Sequence, residues 1–276
     1  MRDFFLETWV KSTLRDGFIG PPGVHSYGWS WIGGCNGSHI LGIQYPELRV
    51  GQPKGNMYPG TAGHWFFQTY VFVEGKRAMN LEILGHEQQL FIPMKYAPFR
   101  MSPIDTLVWD HDNNCFGIID YKTAKDLTWV VEDAKEDNLE QVNLYAYVRK
   151  AGWYAIVYID KTNYDHLIIH RYDTDEDMAK HSIVKLGIVE QWLNEEEFRN
   201  THPWTYIAGG LNKWTKSRTN PYRYICEPSS RTDYGGCPFK KKCLENLSKE
   251  YGINFKSLAR YDQYLEENSD DSGEFS

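Results

Sequence analysis

The chain has 276 residues, of which 41% are hydrophobic and 15% aromatic, and its formal net charge is −7. This composition can fill a packed core and excludes a disordered protein. No stretch approaches the roughly 20 apolar residues that span a bilayer, and the acidic first residues are unlike a secretory signal. We therefore expect an intracellular, cytoplasmic protein, in which five cysteines favour metal binding, redox chemistry or core packing over disulfides.

The first forty residues are rich in glycine and tryptophan and predict irregular structure with one helix at 4–14. A second helix is expected from residue 61 to about Glu74, with His64 and Gln68 on one face. Further strands are expected at 79–84, 89–94, 99–109, 115–121, 153–159 and 167–172, and helices at 127–150 and 175–193. This order predicts an α/β fold with a mixed central sheet flanked by helices.

Two carboxylates and a lysine follow one another in the predicted hairpin 99–121. Asp105 precedes Asp120 by fifteen positions, and Lys122 lies two residues further on. Alternate strand residues share a face, so Asp120 and Lys122 point the same way, and hairpin pairing brings Asp105 beside them. Facing carboxylates bind Mg²⁺ or Mn²⁺, which can activate a phosphodiester while the ammonium orients or deprotonates water or stabilises charge. Taken alone, Asp-x-Lys is more often a surface ion pair.

Four motifs in order resemble the RecB-type branch of the PD-(D/E)XK nuclease superfamily. They are His64 in GTAGHWFFQTYV, Asp105 in PIDTL, Asp120-Tyr121-Lys122-Thr123, and Gln141 with Tyr145 in EQVNLYAYV. The resemblance covers about residues 35–243 and implies a restriction-endonuclease-like core. It also implies a metal-dependent deoxyribonuclease, an exonuclease acting on single-stranded DNA or DNA ends. A catalytically inactive nucleic-acid-binding or scaffolding module is the alternative.

The same resemblance implies a role for each motif residue. The metal ligands would be His64, Asp105, Asp120 and the backbone carbonyl of Tyr121, and Lys122 would assist catalysis. Gln141 and Tyr145 would contact DNA or brace the site. Taken alone, His64 is typical of a core histidine, and Gln141 with Tyr145 of an ordinary helical pair. Glu82 and Glu87 are nearby carboxylates whose roles the motifs do not assign.

The cysteines form a second pattern, with Cys35 far from Cys226, Cys237 and Cys243. One early and three late cysteines resemble the iron–sulfur subset of these nucleases, which includes CRISPR-adaptation nucleases, AddB-type nuclease domains and exonuclease V. That resemblance implies a 4Fe–4S cluster joining the N- and C-terminal segments. The ten residues between Cys226 and Cys237 depart from the tighter spacing of that subset. Structural zinc and unrelated thiols remain alternatives, and Cys115 is expected in the core.

The negative charge of the chain is unevenly distributed. Residues 201–243 contain eight basic and two acidic residues, a local charge of +6 that leaves −13 elsewhere. Aromatic residues alternate with these charges, which predicts a path for single-stranded DNA, although a solvated loop above packed aromatics is equally consistent. The candidate DNA-binding residues are Lys213, Lys216, Arg218, Lys240, Lys241 and Lys242.

These patterns divide the chain into four parts. An N-terminal segment (1–58) carries the first cluster cysteine, and the nuclease core follows at 59–200. A basic, aromatic and cysteine-containing segment (201–250) precedes a C-terminal helix and acidic tail (251–276). The expected partner is DNA, single-stranded or at ends, with no membrane. Protein partners would come from recombination, repair or CRISPR adaptation.

Overall fold

A computed structural model describes the protein over most of its central part. The described residues are 35–45, 48, 63, 66, 68, 80–92, 94–96, 99–100, 103–124, 126–207, 237, 239–256, 260, 263–264 and 267–268. The helix expected at 4–14 and most of the helix expected at 61–74 lie outside them, as do His64, Lys213, Lys216, Arg218 and Cys226. The proposed boundaries between the four parts of the chain stay predictions.

Runs of strands and runs of helices follow one another in the described part of the chain, and the single strand expected at 99–109 is two strands, Phe99–Arg100 and Ile104–Asp110. The strands are β1 (Leu81–Gln88), β2 (Phe91–Ile92), β3 (Phe99–Arg100), β4 (Ile104–Asp110), β5 (Cys115–Ala124), β6 (Ala151–Asp160) and β7 (Asn163–Asp173). The helices are α1 (Asn36–Gln44), α2 (Glu136–Arg149), α3 (Glu176–Asn194), α4 (Glu196–Thr201), α5 (Trp204–Ile207) and α6 (Lys240–Tyr251).

Five of these strands form one sheet in the order β1-β4-β5-β6-β7, and β2 pairs with β3 separately. Strands β5 and β6 are parallel, whereas the other neighbouring pairs in the large sheet are antiparallel. Helix α2 connects the two parallel strands, as a parallel pair requires a crossover connection. The expected α/β fold, a mixed sheet flanked by helices, is confirmed.

The hairpin of β4 and β5 closes over a polar turn at 111–114, as the sequence predicts. Asn114 adopts the left-handed backbone conformation (φ 52°), which asparagine tolerates better than most residues. The Asp110 carboxylate accepts hydrogen bonds from the backbone N–H groups of Asp112 and Asn113, both at 3.1 Å. These contacts hold the turn and therefore fix the register of the two strands.

Helix α2 begins later than predicted. The sequence predicts a helix from Leu127, but 128–130 form a short 3-10 turn and the α-helix starts at Glu136. Asp126 accepts from the backbone N–H of Thr128 at 2.9 Å and from its hydroxyl at 2.7 Å, so a local side-chain contact competes with the helix. The end of α2, at the left-handed Lys150, agrees with the prediction.

Both faces of the central strands β4, β5 and β6 are buried. Helices α2 and α3 cover one face, where Val142, Tyr145 and Leu186 pack with Ile118 and Ile156. The other face buries its own apolar cluster, formed by Val108, Ile119, Tyr121, Trp153, Ala155, Val157 and Ile159. Alternate residues of β5 thus point to different cores, and Asp120 and Lys122 share the face that α2 covers.

A separate apolar cluster joins the two distant ends of the described chain. Ile40 and Leu41 of α1 pack with Trp204, Phe239 and Leu247. Helix α1 therefore packs against α6 although about 200 residues separate them in sequence. Among the described helices, none combines the length and the hydropathy that crossing a membrane requires.

Candidate active site

Asp105 and Asp120 lie on neighbouring strands and point into the same buried space. The register pairs Thr106 with Ile119, so the next position places Asp105 opposite Asp120. Asp105 is 7% exposed and Asp120 is 2% exposed. Folding removes water from both carboxyl groups and places them beside each other. Two negative charges inside the protein would therefore repel one another.

The charge on Asp105 is only partly compensated. Its Oδ2 accepts a hydrogen bond from the backbone N–H of Tyr121 at 2.7 Å. Burial and then the negative charge of Asp120 raise the pKa of Asp105 well above its usual range, although Lys122 and the Tyr121 N–H oppose them. A positively charged group next to Asp105 would therefore stabilise its carboxylate form.

Lys122 supplies one such charge. Its Nζ lies 2.7 Å from Asp120 Oδ2 and donates to Gln141 Oε1 at 3.2 Å. Burial alone would lower the pKa of Lys122, but the charges of Asp120 and Asp105 raise it above the ordinary value, so the lysine stays protonated. Its side chain is 25% exposed, in contrast to the buried carboxylate of Asp120.

Gln141 and Tyr145 lie one turn apart on α2 and complete the described group. Gln141 Nε2 donates to the Tyr145 hydroxyl at 2.6 Å, while Gln141 Oε1 accepts from Lys122. Both side chains are buried. The structure thus brings together Asp105, Asp120, Lys122, Gln141 and Tyr145, and their catalytic roles stay predictions.

Two further residues belong to the same site. Gln68 Nε2 donates to the backbone carbonyl of Asp105 at 3.1 Å and to Glu87 Oε1 at 2.9 Å. Glu87 has a left-handed backbone (φ 50°), and its charge contributes to the raised pKa of Asp105. The helical spacing of Gln68 from His64 was the only sequence signal for it. Glu87 gave no signal beyond being a nearby carboxylate.

Oxygen atoms dominate the ligands that this site offers to a metal ion. Two buried carboxylates that repel one another suit a hard cation such as Mg²⁺ or Mn²⁺. Within the described ranges, no three His, Cys, Asp or Glu side chains are grouped closely enough to form a metal site by themselves. His64, the predicted third side-chain ligand, lies outside those ranges, and the predicted role of the Tyr121 carbonyl stays untested.

Three of the four predicted cluster cysteines lie in one region, where α1 meets α6. Cys35 caps the start of α1, and Cys237 and Cys243 flank the start of α6. Trp204 donates its indole N–H to Cys243 Sγ at 3.3 Å, and Cys237 lies 3.7 Å from Ser38 Oγ. Burial, opposed by the Trp204 hydrogen bond and assisted by Cys35 and Cys237, raises the pKa of the Cys243 thiol to about 12. Cys115, by contrast, is half-buried at the start of β5.

The three described candidate DNA-binding residues, Lys240, Lys241 and Lys242, occupy the first turn of α6. Lys242 pairs with Glu245 at 2.7 Å and lies 5.2 Å above the ring of Tyr45. These lysines are therefore next to Cys243 rather than in the carboxylate site.

No family model matches this chain, and neither does any curated protein. Among solved structures, the chain is similar to SSO0001, with 18% identity and a TM-score of 0.47 over 74% of this chain and 93% of that one. It is also similar to LHK-Exo in complex with dAMP, with 15% identity and a TM-score of 0.42 over 63% of this chain and 89% of that one. A third similar structure is the alkaline exonuclease LHK-Exo from Laribacter hongkongensis, with 14% identity and a TM-score of 0.38 over 59% of this chain and 89% of that one. Likeness at this level carries no inference about activity, which must be argued from the site.

Proposed function

We propose that the protein is a Mg²⁺- or Mn²⁺-dependent deoxyribonuclease that hydrolyses phosphodiester bonds in single-stranded DNA or at DNA ends. The observation that carries this proposal is the pair of buried carboxylates, Asp105 and Asp120, with the Lys122 ammonium held between Asp120 and Gln141. Structural ion pairs do not need a second, repelling carboxylate in a dry site. The four ordered sequence motifs support the same reaction.

The donor set fits a divalent cation. Asp105, Asp120 and, by the motif order, His64 would hold it. Burial and then the nearby Asp120 raise the pKa of Asp105, and such a cation would favour the charged form of this carboxyl. When bound, the cation would polarise the phosphodiester and favour attack by water.

The residues of the chain would act around the scissile phosphate. Lys122 has three N–H donors. In the described structure two of them meet Asp120 and Gln141, so the third can reach a phosphate oxygen. A protonated Lys122 stabilises the negative charge that develops as water attacks phosphorus and the P–O bond to the leaving nucleotide breaks. Gln141, fixed by Tyr145, holds the ammonium in place.

The experiment that tests the function is cleavage of end-labelled single- and double-stranded DNA with Mn²⁺, Mg²⁺ or EDTA. Wild-type protein should degrade DNA only with a divalent cation, and Asp120→Ala should lose that activity. The fragment pattern over time distinguishes digestion from an end from internal cutting. A parallel assay with RNA of the same sequence tests the choice of substrate.

The matched control is Glu82→Ala, because Glu82 is a carboxylate on β1 that pairs with His111 outside the site. It should cleave like wild type. A folded wild-type protein that binds DNA and never cuts it, with binding unchanged in Asp120→Ala, would overturn the nuclease and support an inactive binding module.

We also propose that Cys35, Cys237, Cys243 and Cys226 hold a 4Fe–4S cluster, with zinc as the alternative metal. The support is that three of them lie in the region where α1 meets α6, together with the Trp204 N–H that donates to Cys243 Sγ. These three described cysteines do not form a metal site by themselves, so the proposal depends on Cys226 and on closer approach of the thiolates to a bound metal. Hydrogen bonds to thiolate sulfur are a normal feature of such centres. A cluster would fasten distant chain segments to one another.

Metal analysis of protein purified without oxygen tests this second proposal. Iron, acid-labile sulfide and a visible absorption band, all lost in Cys243→Ser, are expected for the cluster. Zinc without sulfide would favour the structural alternative, and neither metal would leave the cysteines as thiols. Cys115→Ser is the control and should change no metal content.

A further inference from the structure

Glu140 of α2 and Lys185 of α3 form an ion pair inside the protein. Lys185 Nζ donates to Glu140 Oε2 at 2.9 Å. Lys185 is 3% exposed and Glu140 is 5% exposed. Taking charges out of water opposes folding, and apolar residues of similar size often stabilise a protein as well or better. Stability alone therefore gives no reason for charges at this place, and the proposed chemistry uses neither residue.

Apolar packing does not fix the rotation of α2 about its own axis. All residues from Glu140 to Ala146 are buried, so every side of the helix is covered at this point. Apolar contacts are non-directional and tolerate a small rotation. An ammonium and a carboxylate inside a protein are satisfied only at short distance and correct orientation. The pair therefore selects one rotation of α2 relative to α3.

The selected rotation is the one that the catalytic group needs. Gln141 directly follows Glu140, and its Oε1 accepts from Lys122 Nζ at 3.2 Å. The other end of the same amide donates to Tyr145 at 2.6 Å. Turning α2 would carry the Gln141 amide away from Lys122 and release the ammonium from its place beside Asp120.

We propose that Glu140 and Lys185 are positioning residues that hold α2 in the rotation from which Gln141 orients Lys122. This inference rests on the proposed nuclease function. Neither residue touches the reacting atoms. Loss of the pair changes the turnover rate through Lys122 and leaves substrate binding largely unchanged.

The double variant Glu140→Leu/Lys185→Met replaces the charges by apolar side chains of similar size. We expect its free energy of unfolding to match or exceed that of wild type. In the same protein kcat for DNA cleavage should fall about tenfold or more, with KM within about threefold, because small misplacement of a reacting group is costly to the rate. A purely structural pair predicts wild-type kcat in this stable variant, and that result would overturn the proposal.

If the double variant does not fold, Glu140→Gln provides the test, because glutamine keeps the shape of the side chain but removes the charge that attracts Lys185. The comparison is Asp110→Asn, a variant at the far end of β4, at a temperature where both proteins are equally folded. A larger fall in kcat for Glu140→Gln supports positioning. Equal kcat values contradict it.

A readout that needs no cleavage separates this inference from the nuclease proposal. The side-chain NH₂ resonances of Gln141 in ¹⁵N-labelled, metal-free protein can be identified by their loss in Gln141→Ala. In wild type these resonances should be narrow, with chemical shifts displaced by the contact with Tyr145. In the double variant they should broaden, or their chemical shifts should move to the values of a solvent-exposed glutamine. Unchanged resonances overturn the positioning role, whereas an inactive wild type with altered resonances overturns only the nuclease.

Discussion

Strand β4 carries an aspartate near each end, and the two have opposite surroundings. Asp110 is 3% exposed, yet its oxygens accept hydrogen bonds from Asn113, Asp112 and Trp153. The Asn113 side chain, together with the backbone N–H groups of the turn, lowers the pKa of Asp110 below its usual value. Asp105 accepts from the Tyr121 N–H, and burial together with the neighbouring Asp120 raises its pKa.

The contrast separates two uses of a buried carboxylate. At Asp110, N–H donors surround the negative charge, so the charged form is stabilised and the turn is held. At Asp105, burial and a second carboxylate nearby disfavour the charged form, and Lys122 and the Tyr121 N–H offset only part of this effect. Such a site is destabilising until a cation or substrate arrives, which is typical of functional sites.

The largest expected difference between the two aspartates is in activity. Asp105→Asn should lower kcat/KM for DNA cleavage about 1,000-fold, as removal of a central catalytic group does. Asp110→Asn should stay within about threefold of wild type when measured where both are folded. Initial rates on end-labelled DNA give both numbers. Equal losses in the two variants would contradict a functional distinction between the two ends of β4.

The free energy of unfolding should fall more in Asp110→Asn than in Asp105→Asn, which is the reverse of the order expected for activity. Asn113 and the turn N–H groups donate to the two oxygens of Asp110. An asparagine at this position would replace one of those oxygens by an NH₂ group, which would face N–H donors and could not accept from them. We expect Asp110→Asn to lower the free energy of unfolding by about 1–3 kcal/mol. Urea denaturation monitored by tryptophan fluorescence measures the change. A loss below about 0.5 kcal/mol, the usual range for surface changes, would show that the donors do not stabilise this carboxylate.

Asp105→Asn should stabilise the metal-free protein. Asparagine keeps an oxygen for the Tyr121 N–H and removes the repulsion from Asp120, so we expect a gain of about 1 kcal/mol. The same urea titration in EDTA measures it. Added Mn²⁺ should then stabilise wild type and not the variant. A metal-free variant less stable than wild type would show that charge repulsion is not the dominant effect at Asp105.

The smallest expected effect is in acid. Because the pKa of Asp110 is lower in the folded protein than the unfolded value of about 3.9, its contribution is complete above that value and disappears as pH falls through the folded pKa. The stability difference between wild type and Asp110→Asn should therefore shrink from pH 6 towards pH 3. A difference that stays constant with pH would mean that the variant acts through shape rather than charge.

The part of the site on β4 and β5 was predictable because its contacts are local. A polar turn between two apolar runs fixes the hairpin, and alternation along β5 then places Asp105, Asp120 and Lys122 on one face. The spacing of Gln141 and Tyr145 likewise fixes their shared helix face. These inferences need only the period of a strand or a helix.

The remaining contacts depend on how separate elements pack, which local periodicity does not encode. Lys185 meets Glu140 across 45 positions, and Gln68 meets Glu87 across 19. Charged residues in the middle of a helix are ordinarily exposed, so nothing in the sequence marked Glu140 and Lys185 as buried. The late start of α2 was missed for a related reason, since the Asp126 side chain replaces a helical turn.

The parallel pairing of β5 with β6 has a consequence for how the protein folds. Strands β4 and β5 need to close only a short turn, so the two aspartates can meet early, as local contacts generally do. Strand β6 must wait for α2 to form and cross over, because loop closure over a longer segment is slower. Gln141 lies on α2, 19 positions after Lys122, so its contact with Lys122 forms when α2 packs on the sheet. A chain emerging from the ribosome would assemble its repelling carboxylates first and their support afterwards.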